Sequence, residues 1–309
     1  VVNVKIKHLI VKVNNNNYYS GKLIPGTKAK HFGDYDLSHV VQRNIYIHYE
    51  KIGRGSSDLP AGSARFTREA WVDAVTGEIV SYEKWVSKGD SFTEFLLSNE
   101  GHGFDPSDIE NFAKVYKVND QFTDSTVLDK VTPYVNEDGD IVTEVGGITV
   151  KNNDVNIDVD YLYLKNLSDV LNTVPATKQT YKYLNASSDK AKAYDTSVTD
   201  GQNLLKKLED TSIVQTSTQA DIDAAMNAIT KAEAELDGKE TNYKDLQKAV
   251  DDAPTNKQTD AYLNATDQKV YDKAVAAGDD ILKAHTSGSI YSQADVDAAV
   301  KAIKDALNG

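Results

Sequence analysis

The chain has 309 residues, of which 40% are hydrophobic and 26% charged, a composition typical of folded globular domains. It contains no cysteine, which excludes disulfides, thiol catalysis and Cys-ligated metals, and its net charge of −13 argues against nucleic-acid binding. No apolar run reaches the roughly 18 residues that a membrane-spanning helix needs.

The chain begins VVNVKIKHLIV, without an initiator Met or a signal peptide, and we interpret it as a segment of a longer protein whose export signal and anchor lie elsewhere. Residues 1–54 hold nine Lys or Arg and three Asp or Glu, a balance of +6, whereas the remaining 255 residues carry −19. This basic segment fits attraction to anionic ligands such as sulfated or sialylated glycans. It also fits lysines on a solvated strand edge, where they discourage aggregation.

The first 163 residues are rich in Val, Ile and Tyr with period-2 alternation, which predicts a mostly β domain. The Asn run NNNNYYSG at 14–21 indicates a loop. One helix is predicted at 104–118, where Asp105 can cap it and Pro106 suits its first position. The domain is therefore predicted to be α+β, with the helix on one sheet face. The predicted strands are 1–13, 39–50, 64–73, 78–86, 140–150 and 154–163.

The stretch FTREAWVDAVTGEIVSYEKW at 66–85 holds both tryptophans and predicts a β-hairpin around a Thr76-Gly77 turn. An even-length loop places Trp85 on an apolar face, with Phe66, Ala70, Val72 and Ile79, so Trp85 is predicted to be core. Trp71 then falls on the opposite face with Val80 and Tyr82, beside Arg65, Thr67 and Glu69. Trp71 is either covered by another element or part of an open aromatic surface on which a sugar can stack.

From residue 164 the sequence becomes rich in Ala, Lys, Asp and Leu at helical spacing, and it repeats. Residues 164–186 align with 243–265, 193–205 with 270–282, and 218–229 with 292–303. Each copy contains three helical segments, which predicts two tandem three-helix bundles at 164–240 and 241–309. Two prolines, Pro175 and Pro254, are predicted to end the first helix of each copy. Four tyrosines are predicted as bundle core rather than ligand-stacking residues: Tyr183, Tyr194, Tyr262 and Tyr271.

The recurring motifs YLNA, AYD and TQADIDAA resemble the FIVAR repeats of large bacterial surface proteins, over about 164–309. The resemblance implies a helical spacer in a long extracellular chain, sometimes with weak carbohydrate or host-matrix affinity.

The segments DLSHVVQRNIYIHYE at 36–50 and ARFTREAWVDAVTGEIVSYEKW at 64–85 resemble the mucin-binding repeats of lactobacillus surface adhesins. The last strand, DVNIDVDYLYL at 154–164, also fits that family. This resemblance implies a ubiquitin-like β-grasp fold and attachment to mucus or epithelial glycans. The sequence departs from the family in the long interval before the last strand and in residues 1–35. The positions that match the family's motifs are Arg43, Ile45, Phe66, Thr67, Arg68, Val72, Asp73, Thr76, Gly77 and Trp85.

No catalytic motif is present in the sequence: the six histidines form no HExxH and no i, i+4 pair, and there is no GxSxG, P-loop or GxGxxG. The acid pairs Asp34/Asp36 and Glu137/Asp140 lie beside turn residues, which is unlike the apolar pocket that a glycosidase acid requires. We therefore predict no enzyme, no metal site and no cofactor.

Together these patterns predict a fragment of a Gram-positive cell-surface adhesin, with a binding head at 1–163 and two helical spacers. The predicted partners are host mucin or epithelial glycans and glycoproteins, without nucleic-acid binding or membrane insertion. Two alternatives remain: a stalk whose receptor domain lies elsewhere, and a surface hydrolase. The candidate ligand-binding residues are Trp71, Tyr82, Arg65 and Arg54 on one face, or Tyr18, Tyr19 and Lys22 on the loop after the first strand.

Overall fold

A computed structural model describes residues 4–24, 31–49, 57–89, 92, 110–128 and 131–308. The chain divides into two compact units, Val1–Tyr163 with Leu208–Gln219, and Leu164–Lys207 with Ala220–Gly309. The first unit is built of strands and the second of helices, which confirms the α+β class. The strands are β1 (Ile10–Val13), β2 (Ser38–Tyr49), β3 (Ser57–Thr67), β4 (Ala70–Asp73), β5 (Ile79–Tyr82), β6 (Val86–Ser87), β7 (Phe112–Val118), β8 (Gln121–Thr123), β9 (Tyr134–Val135), β10 (Ile141–Val145), β11 (Ile148–Lys151) and β12 (Val155–Tyr163).

The main sheet of the first unit has the strand order β6-β3-β2-β12-β7-β8. Its centre is the parallel pair β2 and β12, in register from Val155 opposite Arg43 to Tyr161 opposite Tyr49. Antiparallel β3 and β7 flank this pair. A last strand lying parallel to the first of the sheet, between two hairpins, is the arrangement that the β-grasp resemblance implies. Alternation along β2 and β12 turns Ile45, Ile157 and Val159 into the core.

The predicted helix at 104–118 is wrong over its second half, because Phe112–Val118 forms β7. Residues 104–109 lie outside the described part of the chain. The segment FAKVYKV contains valines and aromatics that suit a pleated surface, and it pairs with β12 from Val118 opposite Ile157 to Phe112 opposite Tyr163. This cross-strand pairing overrides the local helical pattern.

A second, smaller sheet has the order β1-β4-β5, and a third has the order β11-β10-β9. The predicted strand at 64–73 is divided at Arg68, whose backbone N–H donates to the Leu37 carbonyl (3.1 Å). Trp85 is only 8% exposed and packs with Phe66 in the core of the main sheet, which confirms its prediction as core. Ala70 and Val72 instead belong to a separate core under the small sheet, so the predicted single apolar face is wrong.

The helices of the second unit repeat as the sequence does. Pro175 does not end its helix, contrary to the prediction, because a proline in the last turn removes only one helical hydrogen bond. Pro254 follows the end of a helix at Asp251 and lies in the first turn of the next, where its missing N–H costs nothing. The helices are α1 (Lys165–Thr177), α2 (Tyr181–Leu184), α3 (Ser188–Glu209), α4 (Gln219–Ala234), α5 (Lys244–Asp251), α6 (Ala253–Asn256), α7 (Asp260–Leu263), α8 (Gln268–Thr286) and α9 (Gln293–Asn308).

Equivalent tyrosine pairs lie in the two helical repeats. Tyr194 and Tyr271 are buried, which confirms their prediction as core, and each meets its partner edge to face at 5.8 and 5.6 Å between ring centroids. The partners Tyr183 and Tyr262 are only half-buried, because their hydroxyls donate to Asp195 and Asp272 at the surface. Those two tyrosines therefore bridge the core to a surface ion pair.

Each of these aspartates also pairs with a lysine, Lys178 with Asp195 (2.7 Å) and Lys257 with Asp272 (2.8 Å). The hydrogen bond from Lys257 holds the pKa of the Asp272 carboxyl below its usual value, against the opposing effect of burial. A lowered folded-state pKa adds stability above the unfolded value of about 3.9, and that stability is lost as the pH falls through the folded value.

We expect the thermal midpoint of the helical unit, followed by far-UV circular dichroism, to fall as the pH drops below about 4. Asp272→Asn should lower the midpoint at neutral pH and reduce this pH dependence. Asp280→Asn, at an exposed position on the same helix, is the matched control and should leave the pH dependence as it is. Identical pH profiles for Asp272→Asn and the native chain would contradict the assignment.

Candidate functional site

A polar groove in the first unit combines a turn, a strand junction and a connecting segment. The turn follows β1, the junction lies between β3 and β4, and the segment runs from Glu83 to Lys88. The groove has a volume of about 330 Å³. Its lining residues are Asn14, Asn15, Asn16, Thr67, Arg68, Glu69, Glu83, Lys84, Val86 and Lys88.

The asparagine run forms an ordered turn at one wall of this groove. The backbone N–H of Asn14 donates to Asn17 Oδ1 (2.8 Å), and that of Asn16 donates to Asn14 Oδ1 (2.9 Å). Asn17 Nδ2 in turn donates to the Lys12 carbonyl (3.2 Å). Such side-chain bonds to the local backbone are the reason that Asn favours turns. Asn15 and Asn16 are left exposed, so their amides face solvent at the groove.

Trp71 lies beside the groove and is held by charged groups. Its indole Nε1–H donates to Glu83 Oε1 (2.8 Å), and the Lys12 ammonium lies 5.3 Å from the ring centroid. Lys12 also forms an ion pair with Glu69, which raises the pKa of Lys12 and lowers that of Glu69. Both groups are therefore charged at neutral pH, and the half-buried indole has a fixed orientation.

Arg68 is the cation that the structure fixes most firmly at this site. Its guanidinium lies 3.6 Å from the Tyr82 ring centroid and 4.3 Å from that of Trp85. Nη2 donates to Asp36 Oδ2 (2.8 Å), and Nε donates to the Asp36 carbonyl (2.7 Å). Arg68 is not among the predicted site residues, although its place in the FTR motif is a sequence signal that points to it.

Trp71 and Tyr82 do not share a face, contrary to the prediction. Trp71 pairs with Ser81, Ala70 pairs with Tyr82, and an irregularity follows Trp71, because the next pair is Val72 with Ile79. Directly paired residues lie on the same face of a sheet, so Tyr82 lies on the side of Ala70. Val80 is the extra residue that shifts the alternation.

The structure places one of the two predicted arginines. Arg65 lies on β3, opposite Val40 in the main sheet, whereas Trp71 lies on β4 in the small sheet, so the two residues do not share a sheet face. Arg54 lies outside the described residues.

The alternative candidates on the loop after β1 have two different roles. Tyr18 has a packing role, because its ring stacks on Tyr35 (5.1 Å) and its hydroxyl donates to the Gly33 carbonyl (2.7 Å). Tyr19 is 60% exposed, with the Lys22 ammonium 4.9 Å from its ring centroid. Tyr19 and Lys22 thus form a small exposed surface apart from the residues that line the groove.

Two of the acidic residues singled out in the sequence, Asp36 and Asp140, have cationic partners. Asp36 binds Arg68, and Asp140 pairs with Lys151 (2.6 Å), which lowers the pKa of the Asp140 carboxyl. Over the described ranges, no group of three His, Cys, Asp or Glu side chains is arranged to hold a metal ion. Within the same ranges, no helix combines the length and apolarity needed to cross a membrane.

Comparison with known proteins identifies the helical half of the chain. Residues 164–237 and 242–309 each match the FIVAR domain, so the chain contains two FIVAR domains. The extracellular matrix-binding protein ebh of Staphylococcus aureus strain MW2 is 30% identical over an alignment of 186 residues, and the match covers 46% of this chain. The chain spans only 2% of that relative's length.

Three solved structures are distant neighbours. A domain of EbhA from S. aureus has 22% identity and a TM-score of 0.20, covering 46% of this chain and 77% of its own. Another S. aureus domain, described as similar to streptococcal adhesins, has 22% identity and a TM-score of 0.22, covering 47% and 99%. Mub-RV has 16% identity and a TM-score of 0.22, covering 50% and 60%. These scores establish no shared overall fold.

Proposed function

We propose that this chain, with its two FIVAR domains, is part of a bacterial surface adhesin whose first unit binds host glycans or glycoproteins. The FIVAR domains serve as spacers. The observation that carries the proposal is the groove, which is lined by exposed asparagine amides and the fixed Arg68, with Trp71 bound to the lining residue Glu83. The name of the S. aureus relative, an extracellular matrix-binding protein, supports attachment to host material.

The chemistry of the groove suits a sugar that carries an anionic group. Amides and carboxylates, here Asn15, Asn16 and Glu83, form hydrogen bonds with sugar hydroxyls. Cations such as Lys88 and Arg68 attract sulfate or sialate, and an arginine does so with a planar fork of donors. Trp71, held by the lining residue Glu83, offers an aromatic ring of fixed orientation beside the groove.

An open groove of this size implies modest affinity at each site. Repetition of the protein over a cell surface would raise the overall avidity without any new contact. In this proposal the mechanism is non-covalent and non-enzymatic, and the protein acts outside the cell. Mucin, as implied by the resemblance of residues 36–85, is the first ligand to test.

The second candidate function is a stalk segment without a receptor site. The observation that favours it is that two charged residues of the groove already have partners within the protein, Glu69 with Lys12 and Arg68 with Asp36. Satisfied charges of this kind also stabilise a surface that binds nothing.

The test is binding of the intact chain to immobilised mucin and to a purified matrix glycoprotein across a salt series. We expect saturable binding that weakens with salt, because screening acts on exposed charge. Trp71→Ala and Lys88→Ala should each weaken binding on the order of tenfold. Phe122→Ala, at an exposed aromatic of the main sheet, is the matched control and should not change affinity.

The outcomes separate the alternatives. Binding lost in Tyr19→Ala but retained in Trp71→Ala would move the site to the surface formed by Tyr19 and Lys22. No binding by the native chain to either ligand would favour the stalk. Near-UV circular dichroism of each variant shows whether the fold of the first unit is intact.

A further inference from the structure

The two FIVAR domains are joined through one asparagine of the YLNA motif at residues 183–186, which we call the tip of the first domain. Asn185 follows α2, and its Nδ2 donates to the Lys239 carbonyl (2.8 Å) and to Thr241 Oγ1 (2.9 Å). Its Oδ1 accepts the backbone N–H of Gln293 (2.6 Å) at the start of α9. The side-chain amide of Asn185 thus binds both the linker between the domains, residues 238–241, and the last helix of the second domain. These contacts use most of its hydrogen-bonding capacity.

The first residue of the linker, Gly238, packs directly against the backbone next to the tip. The backbone N–H of Gly238 donates to the Lys182 carbonyl (3.2 Å). A Cβ at Gly238 would lie 2.4 Å from the carbonyl oxygens of both Tyr181 and Lys182, which no side chain tolerates. Asp237 Oδ1 accepts the backbone N–H of Ser187 (2.8 Å). The linker is therefore close-packed and hydrogen-bonded against the end of the first domain.

The second domain carries the same tip. Its YLNA motif, 262–265, repeats the motif at 183–186. The backbone N–H of Asn264 donates to the Asp260 carbonyl at 3.0 Å, as that of Asn185 does to the Tyr181 carbonyl, also at 3.0 Å. The backbone angles agree as well, with φ −108° and ψ 11° at Asn185 and φ −97° and ψ 2° at Asn264. The backbone of Asn264 therefore has the conformation of Asn185, and its side chain leaves the end of the helix in the same direction.

The second tip differs from the first in being uncovered. Asn264 is exposed, whereas Asn185 is half-buried. Leu263 is 56% exposed, although the corresponding Leu184 is half-buried. The motif at 262–265 thus exposes an amide and an apolar side chain, whereas the corresponding side chains of the first tip are half-buried.

The structure that contacts the first tip is the start of the second FIVAR domain. At the start of the second domain, the Gln293 side chain bonds both backbone groups of Asn242, with Oε1 accepting at 2.7 Å and Nε2 donating at 3.3 Å. The corresponding Gln219 makes the same two bonds to Tyr163, at 2.8 and 3.3 Å. The start of a FIVAR domain is therefore a recurring structure in this protein.

We propose that the tip formed by residues 262–265 is a docking surface for the start of a further FIVAR domain, with Asn264 taking the role of Asn185. The closing LDG at 236–238, which delivers the linker to the first tip, recurs as LNG at 307–309. A domain attached there would arrive at the second tip by the same route. This inference does not depend on the groove of the first unit binding a glycan.

The test compares the present chain with one extended after Gly309 by a second copy of residues 239–309. In the present chain, Asn185→Ala should lower the thermal midpoint of the helical unit, and Asn264→Ala should leave it unchanged. In the extended chain, Asn264→Ala should lower the midpoint as Asn185→Ala does. Equal, negligible effects of Asn264→Ala in both chains would overturn the role of Asn264.

Thiol labelling gives a second measurement that does not depend on stability. The protein has no cysteine, so Leu263→Cys introduces a single reactive site. We expect rapid labelling in the present chain and several-fold slower labelling in the extended one. Ile290→Cys, an exposed apolar position away from the tip, should react equally in both. Equal labelling rates for Leu263→Cys in the two chains would overturn the docking surface.

Discussion

Replacing Phe66 with alanine is expected to lower the free energy of unfolding of the first unit by about 3–5 kcal/mol. Phe66 is 0% exposed and packs with Val41, Ile45 and Trp85 in the core of the main sheet. Removing its ring forfeits the transfer free energy of the aromatic group and leaves a cavity that a close-packed sheet fills only in part.

Tryptophan fluorescence during urea unfolding measures this effect selectively. Both tryptophans, Trp71 and Trp85, lie in the first unit, so the signal reports that unit without a contribution from the helices. Arg65→Ala, at an exposed neighbour on the same strand, is the matched control and should change the free energy by no more than about 0.5 kcal/mol. A change in Phe66→Ala as small as that of the control would contradict the assigned core.

Replacing Ile229 with alanine is expected to destabilise the helical unit by about 2–5 kcal/mol. Ile229 is 0% exposed, and its Cδ1 lies 2.8 Å from the place that a Cβ on Gly201 would occupy. Gly201 is thus a glycine inside α3 because the isoleucine of α4 takes the space of its side chain. Alanine at Gly201 alone would gain helix propensity of about 1 kcal/mol but would press against Ile229.

The two substitutions should therefore be coupled. In the double variant the smaller side chain at 229 leaves room for the methyl group at 201, so Gly201→Ala should stabilise Ile229→Ala more than it stabilises the native chain. Far-UV circular dichroism during urea unfolding follows the helical unit. Thr230→Ala is the exposed control on the same helix. Additive effects of the two substitutions would show that Gly201 and Ile229 do not share this space.

The candidate site was only partly predictable. Trp71 is predictable because a tryptophan among polar neighbours is conspicuous in an alternating strand. The partners that fix it, Lys12 and Glu83, come from β1 and from the segment after β5, and sequence periodicity does not bring such distant residues together. The predicted face of Tyr82 is wrong, because a single irregularity in pairing reverses the alternation beyond it.

Tyr18 illustrates a different limit of the sequence. An asparagine-rich loop followed by two tyrosines indicated an exposed aromatic surface. One of the two, Tyr18, instead packs on Tyr35 and satisfies its hydroxyl on the backbone of Gly33. A tyrosine serves either purpose, and only the neighbours supplied by the fold decide which.

The sequence by itself determined the helical half of this protein, because helix periodicity and repeated motifs are local properties that need no distant partner. It also determined the burial of Trp85 and the alternation of β2 and β12, since an apolar face along a strand can be recognised from the strand alone. The tertiary structure decided what depends on pairing. Phe112–Val118 is a strand because its backbone pairs with β12. Asn185 connects the two FIVAR domains because the backbone N–H of Gln293 in the second domain donates to its side chain. In the described part of the chain the same YLNA motif at 262–265 leaves Asn264 exposed, so identical local sequence leads to different burial.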